Sequence, residues 1–157
     1  MEVTRVSPTL VPLVLAIFGL GLTAGTLAGA WAADRALMPS IGGMLLWTAA
    51  ALALFPFAAG NLVAVCAVVF LIGTSGGLGA MLQTRLMDVA GEAQTLAAAL
   101  NHSAFNMANA LGPWLGGLAI AAGYGWTSTG WVGTFLALAG FLIWAVAMLD
   151  ERARTAR

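Results

Sequence analysis

Long apolar runs separated by short polar breaks make up the pattern of the chain. Charged residues fall only at the breaks and near the two ends, and proline or glycine occurs at several breaks. Each run is close to the 20 or so residues that an α-helix needs to cross a bilayer, and none alternates with the period of two of a barrel strand. The pattern therefore predicts an all-α, polytopic transmembrane bundle of five helices, at residues 10–33, 38–58, 62–82, 95–122 and 132–149.

The composition assigns the chain to the membrane. It has 157 residues, of which 61% are hydrophobic and 8% are charged, whereas a soluble domain carries about 25% charged residues. The lipid bilayer is therefore its first expected partner. The formal net charge is zero, and without a basic patch we expect no nucleic-acid partner. Cys66 is the only cysteine, so we expect neither a disulfide framework nor a cysteine metal site, and no cofactor.

The distribution of arginine predicts the orientation. On a five-helix path, all arginines but Arg5 fall on one side, and the connectors on the other side carry no charge. Cytoplasmic loops carry the excess of positive charge, which predicts a cytoplasmic C-terminus and an external N-terminus in the cell (inner) membrane. An odd number of helices with an exported N-terminus also suggests the end of something longer. The arginines on the cytoplasmic side are Arg35, Arg85, Arg152, Arg154 and Arg157.

The fourth predicted helix holds three asparagines and the only histidine of the chain, but no charge. At about 100° per residue, His102, Asn106, Asn109 and Pro113 fall within a band of about 60°, and Asn101 lies on the neighbouring face. Lipid offers such a polar face no hydrogen-bond partners, so this helix is expected to pack inside a bundle or to line a path through it. The asparagines are either hydrogen-bonding contacts between helices or substrate contacts. His102 is either a neutral hydrogen-bonding residue or a proton relay, since histidine changes charge near neutral pH.

Glycines recur at four-residue intervals on three of the predicted helices. Glycine at this spacing lets helix backbones approach closely, which is how helices associate in lipid. Packing of the bundle is one interpretation, and a sliding surface on which helices rock is the other. The stripes are Gly21, Gly25 and Gly29, then Gly73 and Gly77, and finally Gly112 and Gly116.

Two motifs resemble those of the major facilitator superfamily. Gly29–Arg35 reads G-A-W-A-A-D-R, which is similar to the glycine and Asp-Arg of the cytoplasmic loop after the second helix of each six-helix half. Gly112–Gly117 reads G-P-W-L-G-G and looks like the G-P-x-x-G-G antiporter motif of drug-exporting members. The chain departs from the family pattern in having only one arginine after Asp34, and Ala108 where the antiporter motif often has its leading glycine.

Longer stretches extend the resemblance to bacterial arabinose and drug efflux permeases. The run A-L-N-H-S-A-F-N-M-A-N-A-L-G-P-W-L-G-G resembles their eleventh helix, and Q-T-R-L-M-D-V-A-G resembles the cytoplasmic loop before it. The resemblance implies a partial major-facilitator fold, the C-terminal part of a twelve-helix transporter from helix eight to helix twelve. Helices two to six are the competing register. The third helix lacks an arginine that drug exporters place early in their fourth, and the basic tail fits a C-terminal end.

The resemblance also implies a function and a site. The function is efflux of a small organic solute, a drug or a sugar, in exchange for protons, with the missing N-terminal helices as partner. Asp34 and Arg35 would be gate charges of the cytoplasmic loop, or else anchors that reach the headgroups. Thr74 would line the central cavity. The antiporter-like motif comprises Gly112, Pro113, Gly116 and Gly117.

Two alternatives belong to other classes of protein. One is a complete small membrane scaffold or subunit that oligomerises through its glycine-rich faces. The other is an intramembrane protease, because Gly73–Gly76 spells the G-x-S-G of rhomboid-type enzymes and His102 follows on the next helix. However, His102 lacks adjacent glycines, and Ser75 lies toward the predicted cytoplasmic side. We therefore expect no enzyme.

Overall fold

A computed structural model describes residues 8–155 of the chain, and every regular element in that range is helical. This confirms the predicted all-α class. Arg5 and Arg157, two of the arginines used for the orientation, lie outside the described residues. The helices are α1 (Val11–Ala58), α2 (Leu62–Gly73), α3 (Gly77–Ala90), α4 (Gln94–Ala119) and α5 (Ser128–Thr155), with short 3-10 turns at Pro8–Leu10, Thr74–Gly76 and Gly91–Ala93 and a π-helical turn at Ile120–Tyr124.

The prediction of five separate membrane-spanning helices is not matched. Within residues 8–155, three continuous helical stretches are long and apolar enough to cross a membrane: Val11–Ala58, Leu62–Tyr124 and Ser128–Arg154. The predicted breaks at the charged connectors were too wide, because polar residues there continue the helices instead of ending them. Hydropathy marks where a helix can contact lipid, not where its hydrogen bonds stop.

The first stretch reverses direction at a single residue. Ala36 has φ −159° and ψ 83°, which is not helical. The hydroxyl of Ser40 donates a hydrogen bond to the carbonyl of Ala32 at 2.9 Å, although eight residues of a straight helix rise about 12 Å. The first arm of α1 (residues 11–35) and its second arm (residues 37–58) therefore lie beside each other.

The second stretch has two irregular points. The turn Thr74–Gly76 separates α2 from α3, and Gly91, with φ 52°, follows α3. A positive φ is open to glycine at little steric cost. Beyond this turn α4 returns along α3, since a Cβ at Gly79 would lie 3.1 Å from the ring of Phe105.

Three side chains form the buried centre of the bundle, here named the Ile41 core: Ile41, Leu45 and Met81. They come from the second arm of α1 and from α3, and Trp144 of α5 packs against them. The indole N–H of Trp144 donates to the carbonyl oxygen of Met38 at 2.9 Å. Helix α1 is thus the centre against which α2, α3 and α5 pack, while α4 contacts α3 and α5.

Glycines let the first arm of α1 touch the second stretch backbone to backbone. A methyl group at Gly25 would overlap the backbone of Thr74, and a Cβ at Gly73 would lie 2.5 Å from the carbonyl oxygen of Phe18. Gly21 and Gly29 are buried in the same contact. These glycines pack helices of the same chain together, as the first interpretation of the stripes proposed.

Candidate functional site

The polar side chains predicted on the fourth helix do lie on one helix, α4, but the structure divides them. Asn101 is buried, with 8% of its surface exposed. His102, Asn106 and Asn109, named here the α4 polar face, lie in a run from residue 102 to residue 111 in which every residue is exposed. Asn101 therefore belongs to the packed part of the bundle, and the other three face outward from it.

An exposed polar face is costly on a membrane helix. The hydrocarbon core offers no hydrogen-bond partner, so asparagine and histidine there normally face other helices or a water-filled path. The two carboxamides each offer donors and an acceptor. Pro113, inside α4, has no N–H and leaves the carbonyl of Asn109 without its helical donor. The α4 polar face is therefore suited to a polar solute or to a partner helix.

Helix α4 contacts its neighbours in the bundle at two points. Phe105 lies against Gly79 of α3, and a Cβ at Gly116 would lie 3.3 Å from the Cγ2 of Thr129 in α5. Beyond its C-terminal end, Gly123 and Gly125 have positive φ values of 90° and 78°. Even so, every residue of α4 from 102 to 111 stays exposed in the described part of the chain.

The antiporter-like motif borders a groove between α4 and α5. Gly112, Pro113, Gly116 and Gly117 line it together with Trp126 and Thr129, and its volume is about 690 Å³. A Cβ at Gly112 or Gly117 would meet no atom within 4 Å, whereas Gly116 is buried. Of this motif, Gly116 contributes to packing, and Gly112 and Gly117 leave open space.

Thr74 lies at the edge of a different groove and its hydroxyl is already engaged. It donates to the carbonyl oxygen of Leu71 at 2.6 Å and accepts from the indole N–H of Trp47 at 2.7 Å. The sequence pattern alone gave Trp47 no role. A tryptophan in an apolar helix needs an acceptor for its N–H, and this need was the available signal.

Asp34 and Arg35 are exposed at the reversal of α1, next to Ala36. The guanidinium of Arg35 donates to the carbonyl oxygen of Trp31 at 2.9 Å, and its central carbon lies 3.5 Å from the centroid of that ring. This is cation–π geometry. It holds the Arg35 side chain along its own helix, as expected for an anchor. The role of Asp34 and Arg35 as gate charges stays a prediction.

The charged ends of several helices meet at one end of the bundle. Arg85 at the end of α3 donates to Glu151 of α5 at 2.9 Å, and both border a cavity of about 490 Å³ with Met38 and Arg154. Because Met38 lies two residues after Ala36, the reversal of α1 is at the same end. The pairing of Arg85 with Glu151 was not predicted.

The serine–histidine pair of the protease alternative is not formed. The hydroxyl oxygen of Ser75 is buried and has no hydrogen-bond partner, whereas His102 is exposed on α4. A dyad needs the two side chains within hydrogen-bond reach. Across residues 8–155, no three His, Cys, Asp or Glu side chains are grouped as metal ligands would be.

Comparison with known proteins gives matches over nearly the whole chain. The model of the Major Facilitator Superfamily matches residues 1–157. The chain is 33% identical over 150 residues to the inner membrane transport protein YdhP of Escherichia coli (strain K12), covering 94% of this chain and 36% of that protein.

A relative from Bacillus subtilis (strain 168), the uncharacterized MFS-type transporter YfhI, is 33% identical over 144 residues, covering 87% of this chain and 35% of that protein. The chain thus spans about a third of the length of the curated relatives it matches. No solved structure matches it.

Proposed function

The chain belongs to the Major Facilitator Superfamily, and we propose that it forms part of a transporter that exports a small organic solute, a drug or a sugar, in exchange for protons. The solute would move by alternating access, in which two halves of the transporter expose a shared site to each side in turn. That the chain is a multi-pass membrane protein follows from its apolar helices and its family. The direction, the solute and the coupling ion are the proposal.

The proposed topology has five membrane crossings. It places the chain as helices eight to twelve, with the N-terminus outside, the C-terminus in the cytoplasm and the remaining N-terminal helices as partner. The reversals at Ala36 and Gly91 support it, since each returns the chain along the preceding helix. Arg85 and Arg154 meet near the first reversal, which supports a single cytoplasmic end. By analogy with YdhP, the membrane would be the inner membrane.

The α4 polar face is the observation that carries the proposal. Asn106 and Asn109 would hydrogen-bond the solute or the opposing half in one state and release it in the other. His102 would relay the exchanged proton to or from another group, because no aspartate or glutamate lies within the apolar runs of the sequence. The principal carboxylate of a proton-coupled transporter would then belong to the partner helices.

A reconstituted transport assay tests this role. In the full-length transporter in proteoliposomes, replacing both Asn106 and Asn109 by alanine removes the carboxamides that the solute would contact. We expect the initial rate of pH-gradient-driven flux of arabinose or ethidium to fall about tenfold, the effect of losing one to two net hydrogen bonds.

The matched control replaces Met107 and Leu111, which are exposed on another face of α4, by alanine. Its flux should stay within about twofold of wild type. Wild-type flux in the Asn106→Ala, Asn109→Ala protein, or an equal loss in both double variants, would contradict the proposal.

The scaffold alternative loses part of its basis. The stripe Gly21, Gly25 and Gly29, on which self-association would depend, is buried against α2 and α3 of the same chain. Only glycines with open space, such as Gly112 and Gly117, are left for a second copy.

A further inference from the structure

One side chain of α5, that of Trp144, reaches the reversal of α1. Its indole N–H donates to the carbonyl oxygen of Met38 at 2.9 Å, and Met38 lies two residues after Ala36. The ring is partly buried and packs against the Ile41 core. Because the reversal is a single residue long, a contact at Met38 acts almost at the point where the chain turns.

The surroundings of the indole ring match its shape. Gly42 is buried, and a Cβ there would lie 2.5 Å from the Cζ2 of Trp144, so any larger residue would displace the ring. Phe141, about one turn earlier on α5, stacks on the indole with the ring centroids 5.2 Å apart. Met38, Gly42 and Phe141 are named here the Trp144 socket. Together they fix the direction, the depth and the tilt of the ring.

The hydrogen bond in the socket resists movement of the reversal. In an α-helix the carbonyl of Met38 pairs with the N–H four residues later, so the indole is an additional donor and the backbone does not depend on it. The indole does depend on the carbonyl, because a tryptophan N–H in apolar surroundings needs an acceptor. Moving the reversal away from α5 would leave that N–H unpaired, which is unfavourable.

The reversal carries the charged pair Asp34 and Arg35. The contacts of Arg35 hold it to its own helix, and the hydrogen bond from Ser40 to Ala32 joins the two arms of α1 to each other. Neither contact fixes this end of α1 relative to another helix. The hydrogen bond from Trp144 does so, because α5 is a separate element.

We propose that Trp144 is a positioning residue, which acts through the carbonyl of Met38 to set where Asp34 and Arg35 lie at the end of the bundle. The claim concerns position and rests on the contacts of the Trp144 socket. Only its consequence for a gate rests on the proposed function.

A distance measurement by pulsed electron paramagnetic resonance tests the proposal on the 157-residue chain in lipid nanodiscs. Spin labels are attached at Asp34→Cys and at Phe135→Cys, both exposed, after Cys66→Ser removes the native thiol. Trp144→Phe keeps an aromatic ring but loses the N–H. We expect the population of distances outside the main peak to rise about fivefold, the ratio that one net hydrogen bond gives.

A second tryptophan gives the matched control. The indole N–H of Trp47, in the same arm of α1 as Met38, donates to Thr74 of the second stretch at 2.7 Å. Trp47→Phe therefore loses a similar hydrogen bond that does not join α1 to α5, and the distance distribution should stay as in the parent protein.

Gly42→Ala tests the fit of the socket. The added Cβ displaces the indole, so this variant alone should raise the outlying population about as much as Trp144→Phe does. In the Trp144→Phe background it should add little, because the smaller ring has no Cζ2 of an indole to meet the new methyl group. Such non-additivity is expected of two changes to one contact.

Three results would overturn the proposal: an unchanged distribution in Trp144→Phe, an equal rise in Trp47→Phe, and additive effects of Gly42→Ala and Trp144→Phe. If circular dichroism shows that Trp144→Phe has not folded, Gly42→Ala alone decides, and an unchanged distribution in it would overturn the proposal. The measurement needs no flux, so its failure and a failure of the transport assay are distinguishable.

Discussion

The Ile41 core and the α4 polar face show two opposite uses of a membrane helix. In the core, Ile41 and Met81 are 2% and 1% exposed, because side chains from α1, α3 and α5 close over them. On α4, the residues from 102 to 111 are all exposed, although they include His102, Asn106 and Asn109 of the α4 polar face. The Ile41 core is covered by side chains of the same chain, whereas the α4 polar face presents hydrogen-bonding groups outward.

The difference teaches which helices hold this chain together and which leave polar side chains exposed. The first arm of α1 and the second stretch meet through glycine, and Trp144 joins α5 to the reversal of α1 through Met38. Lipid gives little drive for helix association, so such close packing and hydrogen bonds hold the bundle. Helix α4 has few of these contacts, and His102, Asn106 and Asn109 are left exposed on it.

Overpacking the glycine contact should have the largest effect. A side chain at Gly25 would collide with the backbone of Thr74, which cannot move aside as a flexible side chain could. We expect Gly25→Leu to lower the free energy of unfolding by about 3 kcal/mol or more, measured by SDS titration followed with circular dichroism in mixed micelles.

Gly19→Leu is the control for this change, because the same side chain there meets open space. Equal destabilisation by the two substitutions would show that the contact with Thr74 does not hold the first arm.

Truncating a side chain of the core tests the contrast directly. Met81→Ala should cost about 2 kcal/mol, the low end for a buried methionine, because lipid lessens the transfer term and leaves mainly the lost packing. Met107→Ala on α4, where 73% of the side chain is exposed, should change stability by less than about 0.5 kcal/mol. Similar costs at the two positions in the same titration would remove the distinction between the regions.

The smallest effect is expected at the end of the bundle where the charged residues of α3 and α5 meet. Arg85 and Glu151 pair at 2.9 Å, but their side chains are 34% and 50% exposed. A double-mutant cycle with Arg85→Gln and Glu151→Gln should give a coupling of about 0.5 kcal/mol that declines in high salt. A coupling above about 2 kcal/mol, or one insensitive to salt, would make this end a second fixed centre of the bundle.

Much of the fold followed from the sequence alone. Apolar runs of membrane-spanning length predicted helices and a bilayer, since their backbone polar groups must pair internally. The motifs around Asp34 and Pro113 led to the superfamily that the family model then showed. The helical period also predicted one face for His102, Asn106 and Asn109, because the angle of a residue on its own helix depends only on spacing.

Tertiary structure decided what lies against each of those faces. Spacing did not separate buried Asn101 from exposed Asn106, nor did it bring Trp47 to Thr74, 27 residues away. It placed a break between the first two predicted helices but did not show that the break is the single residue Ala36, so that the two helices form one stretch. Hydropathy and period describe one helix at a time. The neighbours of a residue depend on how whole helices pack, and in lipid that depends on close shape and a few hydrogen bonds.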